Sequence, residues 1–88
     1  MDPHWEANNV TPLAELSTGR SGTIRALNGG RRFVGRLAAL GFTPGVAVTM
    51  VRNNHFGPVI VAVRGTQVAL GRGEAHRVML ATSGEGGT

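Results

Sequence analysis

Five residues, Gly41-Phe42-Thr43-Pro44-Gly45, constrain this chain more than any other stretch. A glycine that enters the left-handed region ends a helix at no steric cost, and the next residue commonly packs back onto the last turn. Proline followed by glycine then suits the two central positions of a type II turn. Any helix before Gly41 must stop there, and the chain must leave in a new direction. Phe33, Leu37 and Leu40, with Val34 and Ala38, recur at helical spacing, while Arg31, Arg32 and Arg36 fall toward the other side. That pattern predicts one α-helix over about residues 30–40. Gly35 inside it costs about 1 kcal/mol relative to alanine, and reads as either a close backbone approach or simple tolerance.

Elsewhere the apolar period is two rather than 3.6. Val46, Val48 and Met50 alternate with Ala47, Thr49 and Val51; Val59 to Val63 is apolar on both faces, as in a central or covered strand. Arg64-Gly65-Thr66 makes a tight turn into Gln67 to Leu70, completing a β-hairpin. Gly22 to Leu27 predicts a strand that ends at an Asn28-Gly29-Gly30 turn, and Val78 to Ala81 a last short one. Gly71 to Arg77 reads as a polar single turn or loop. Leu13 and Leu16, three apart, mark one amphipathic turn whose leucines belong to the core. The predicted fold is mainly β: a small, SH3-like, partly open β-barrel of about five strands with one inserted α-helix. A barrel of this size is filled by its own side chains.

At 88 residues the chain makes one domain, and without cysteine no disulfide or thiolate metal site can staple it. Residues 1–10 and 83–88 are polar or glycine-rich and read as flexible tails around a domain over 11–82. The first ten residues lack a basic stretch followed by an apolar core, and the longest aliphatic run, Val59 to Val63, is far shorter than the roughly 20 residues of a membrane span. The expectation is a cytoplasmic protein without direct membrane insertion. All nine arginines lie between Arg20 and Arg77, and over Thr11 to Ala81 they face only Glu15 and Glu74, a local charge of +7. Lysine is absent, so a coding bias toward arginine explains much of this, and no exposed aromatics interleave with the arginines as a nucleic-acid surface would require. No catalytic constellation is present: no cysteine nucleophile, serines only in loops or a tail, and two carboxylates far apart in sequence.

The run RLAALGFTPG (Arg36 to Gly45), followed after one strand and a loop by GPVIVAVRGTQVALGRGEA (Gly57 to Ala75), resembles the ferrous iron transport protein A (FeoA) family. Leu37, Leu40, Gly41, Phe42, Pro44, Gly45 and Gly65 carry the structural part of the likeness. The resemblance implies an SH3-like barrel that binds or regulates a membrane ferrous-iron permease with a G-protein domain, with no small-molecule substrate and no catalysis. Related barrels close metal-dependent repressors, but no winged-helix region precedes this one. Gly71-Arg72-Gly73 departs from the bulkier residues usual at that corner, which puts its rigidity in question.

Candidate contact residues are Arg31, Arg32 and Arg36 on the helix, and His55 and Phe56 in the Asn53 to Pro58 loop. Phe56 is read as a plug over an open barrel end, with an exposed anchor as the alternative. His55, Glu74 and His76 are the candidate ligands for a transition metal, ferrous iron or adventitious zinc, although a site needs several converging ligands and a surface histidine beside a solvated carboxylate is the simpler explanation. No cofactor is required. Nucleic-acid binding and metal sensing stand as the competing functions, and homo-oligomerisation is left open.

Overall fold

The computed structural model describes residues 10–82. Six antiparallel strands form one open sheet: β1 (Val10–Pro12), β2 (Ser21–Leu27), β3 (Ala47–Arg52), β4 (Val59–Val63), β5 (Thr66–Leu70) and β6 (Val78–Ala81). Their order across the sheet is β1-β6-β2-β3-β4-β5, so β1 and β5 are the two edges. A 3₁₀ turn, Leu13–Glu15, follows β1; α1 spans Arg31–Ala39, and α2 is the single turn Arg72–Ala75. The predicted flexible tails, residues 1–10 and 83–88, lie outside the described residues except for Val10, which is the first residue of β1.

The opening pentapeptide does what its chemistry dictates. Gly41 has φ +105° and Gly45 φ +93°. The Gly41 N–H donates to the Ala38 carbonyl (3.0 Å) and the Phe42 N–H to that of Leu37 (2.9 Å), the paired bonds of a Schellman stop. Phe42 and Leu37 are both fully buried, which supplies the apolar contact this motif favours. The Val46 N–H closes the turn on Thr43 at 3.1 Å, and Gly45 and Val46 exchange hydrogen bonds with Ile24 of β2. The helix stop therefore delivers β3 directly alongside β2. At the β4–β5 hairpin, Arg64 (φ 51°) and Gly65 (φ 80°) both take the left-handed conformation that a two-residue loop demands.

The sheet curls because two registers slip by a residue, between Ile24 and Ala26 against β6 and between Met50 and Arg52 against β4. Such bulges sharpen the twist. Val48, Met50, Val59, Val61, Ile24 and Leu80 point to the concave side and are buried. Leu13 and Leu16 join them, as spacing predicted, and β4 lies between two strands as its two-sided apolar pattern predicted.

Three expectations are corrected. The sheet has six strands rather than about five, because Val10–Pro12 pairs with β6. A three-residue edge strand containing proline has too few residues to display a period, and Pro12 is tolerated there because an edge leaves some N–H groups unpaired. Leu40 is 42% exposed rather than on the core face: it caps α1 beyond the last helical turn, and Phe42 fills the space instead. Phe56 is 83% exposed and plugs nothing. A Cβ at Gly35 would meet open space, which makes that glycine tolerance rather than close approach. Gly29 is the reverse: a Cβ there would overlap the Phe33 ring.

Candidate functional site

One face of the domain is built by α1, α2 and the segment leading into β6. Arg32, Phe33 and Arg36 of α1, Gly73 and Glu74 of α2, and Arg77 line an open groove of about 330 Å³. Positions 32 and 36 are one helical turn apart, which stacks their guanidinium groups along the same side. Phe33 is nearly buried, and the Arg77 guanidinium lies over its ring, 5.3 Å from the centroid. That contact keeps the arginine at the groove wall through a cation–π attraction.

Arg36 forms an ion pair with Glu74. The other Glu74 carboxylate oxygen accepts from the Gly71 N–H at 3.2 Å, so the side chain closes the first turn of α2 as a cap. The hydrogen bond from Arg36 is the main reason that the Glu74 carboxyl sits below its usual pKa, with the Gly71 N–H adding to it. Such a carboxylate contributes stability that is complete above its unfolded-state pKa and is lost as pH falls through the lowered native value. Glu74→Gln is therefore expected to lower the urea midpoint slightly at pH 7, by less than about 1 kcal/mol because the pair faces solvent. The variant and the parent should converge at an acid pH below the lowered native value. A gap of equal size at both pH values would show that the charge is not responsible.

The sequence candidates divide between two places. Arg31, Arg32 and Arg36 are exposed on α1, but Arg36 is already engaged by Glu74. His76 is exposed just after α2, whereas His55 lies in the β3–β4 loop. Among the described residues no group of three or more His, Cys, Asp or Glu side chains is placed to hold a metal ion, so His55, Glu74 and His76 are not gathered into one centre. With its carboxylate held by Arg36, Glu74 does not fit the role of a resident metal ligand.

The second place is the β3–β4 loop, and two residues that sequence reasoning missed build it. Asn53 is nearly buried. Its side-chain amide donates to the Ala14 carbonyl (2.8 Å) and the Leu16 carbonyl (3.0 Å), while its backbone N–H donates to the Thr18 hydroxyl (3.0 Å). Its Oδ1 accepts from the His55 N–H (3.1 Å) and from Arg72 Nη2 (2.6 Å). Arg72 also donates to the Ala14 carbonyl through Nη1 (3.1 Å) and to the Gly57 carbonyl through Nε (3.2 Å). One asparagine and one arginine thus tie the 3₁₀ turn, the loop and α2 together. The corner at Gly71-Arg72-Gly73, whose rigidity the sequence put in question, is pinned by its arginine. His55 has φ +72°, a left-handed conformation that costs a non-glycine residue of the order of 1 kcal/mol or more. In a run reading Asn-Asn-His-Phe-Gly-Pro, nothing local distinguishes Asn53 from Asn54; only their surroundings do.

The FeoA domain family profile matches residues 11–82. A candidate Fe(2+) transport protein A of Methanocaldococcus jannaschii is 32% identical over 76 residues, covering 86% of this chain and 92% of that protein. The crystal structure of an iron uptake regulatory protein, FeoA, is 35% identical, with a TM-score of 0.79 over 82% of this chain and 96% of that one. FeoA of Stenotrophomonas maltophilia, described as a procaryotic SH3 domain protein and crystallised with zinc, is 32% identical, with a TM-score of 0.69 over 77% of this chain and 86% of its own. The SH3-like architecture read from the strand pattern is that of these relatives.

Proposed function

Because this chain belongs to the FeoA domain family, we propose that it is a cytoplasmic accessory protein of ferrous iron uptake that binds the cytosolic part of a membrane ferrous-iron permease carrying a G-protein domain. The observation that carries this reading is the filled interior: the concave side of the sheet is occupied by fully buried aliphatic side chains, so the domain meets other molecules only with its outside. It works by contact and not by catalysis. Iron is the cargo of the system it serves and not a cofactor resident in this chain. No helix among the described residues is long and apolar enough to cross a membrane.

Two surfaces qualify as the contact: the arginine face of α1 and the loop bearing His55 and Phe56. The basic face suits acidic groups on a partner, because each guanidinium presents a planar fork of donors to a carboxylate. Calorimetry with the purified cytosolic domain of the permease, in the presence and absence of guanine nucleotide, tests the proposal. Binding should appear, and Arg32→Glu with Arg36→Glu should weaken it by about tenfold, mainly by slowing association and more strongly at low salt. Absence of heat and of pull-down in every nucleotide state would remove the proposed function.

A further inference from the structure

Phe56 is 83% exposed, the most exposed large apolar side chain among the described residues. The loop that carries it is tightly held. The Phe56 N–H donates to Asn54 Oδ1 (3.2 Å), the His55 N–H to Asn53 Oδ1, and Arg72 Nε donates to the carbonyl of Gly57, the residue after Phe56. Asn53 is in turn fixed to Ala14 and Leu16. The fold thus spends its buried polar network on fixing the base of a loop whose aromatic tip touches nothing in the core. An exposed ring on a fixed base loses little conformational freedom when it is covered, the condition under which an aromatic anchor binds well.

The surroundings specify what would cover it. Arg52, the last residue of β3 before the loop, and His55 within it are exposed, and Arg72 is half-buried and hydrogen-bonded to the loop at Asn53 and Gly57. The described residues contain only two carboxylates, Glu15 and Glu74, and Glu74 is paired with Arg36. We infer that the Asn53 to Pro58 loop is a preshaped docking element that inserts Phe56 into an apolar pocket with an acidic rim on a protein partner. This rests on the accessory-protein reading above and names the part of the surface that carries its affinity. A second copy of the chain would bring a like-charged surface against this one, and a single exposed ring offers a lipid bilayer far less apolar area than an interfacial helix buries.

The test is calorimetric titration of the full chain with the purified cytosolic permease domain. Phe56→Ala should weaken binding by about 30-fold, while Phe56→Leu keeps most of the affinity. Both variants should melt with the parent protein, since the ring contributes nothing to the core. Phe56→Ala binding within about twofold of the parent would overturn the inference and leave the accessory role standing. Phe56-dependent sedimentation with phosphatidylserine vesicles would assign the loop to lipid and overturn it as well. No binding by the parent protein would remove both the role and the inference.

Discussion

Phe42→Ala is expected to bring the domain close to unfolding. The ring is fully buried, it closes the helix stop onto Leu37, and its backbone N–H is the outer bond of that stop. Truncating a buried phenylalanine removes its transfer energy and leaves a cavity, together about 3–5 kcal/mol. A small domain without a disulfide has stability near the low end of the usual range of about 5–15 kcal/mol, so little remains. With a typical urea dependence, the midpoint should fall by about 2 M or more. Phe42→Leu, which keeps most of the volume, should lose far less. A midpoint within about 0.5 M of the parent for Phe42→Ala would mean that the junction between α1 and β3 is held some other way.

Asn53→Leu should come second, with a loss of about 2–4 kcal/mol despite adding apolar surface. The substitution keeps the approximate volume but removes two donors and one acceptor from a site closed to water. The Leu16 carbonyl, the His55 N–H and one Arg72 donor then lose partners, and each buried polar group left unsatisfied costs about 1–3 kcal/mol. The loss should be read by urea unfolding, and loosening of the loop by faster amide exchange at His55 and Phe56 in the still-folded variant. Arg72→Ala should cost less, because Arg72 is itself only half-buried, and should not add fully to Asn53→Leu, because the two share a hydrogen bond. Full additivity, or a loss for Asn53→Leu below about 1 kcal/mol, would dissolve the idea that this network fixes the loop.

These two positions mark the boundary between what local chemistry dictates and what distant chain decides. Phe42 is legible from its neighbours: glycine before it, a helical apolar stripe ending one turn back, and a Pro-Gly turn after it. The same holds for β3, β4, β5 and β6, whose alternation spans enough residues to register as a period, and for Leu13 and Leu16. Asn53 is not legible, since its five hydrogen-bonding partners lie two to thirty-nine residues away. Leu40 shows the same limit in reverse: its spacing satisfies the helical stripe, but the helix ends before its side chain reaches the core. Phe56 reads equally well as plug or anchor until the distance between its loop and the open end of the sheet is known.

Sequence by itself therefore determined the architecture: where the helix must stop, which segments alternate, and that a chain this short and free of cysteine closes around apolar side chains alone. Tertiary structure alone decided the surface: that Arg36 is taken by Glu74, that β1 completes the sheet edge, and that Phe56 stands in solvent on a base clamped by Asn53 and Arg72. Backbone stops and strand periods are set by sterics and solvation within a few residues, so they are written locally. Ion pairs, buried polar partners and exposure depend on which remote segments arrive at the same point, and only the folded chain brings those together.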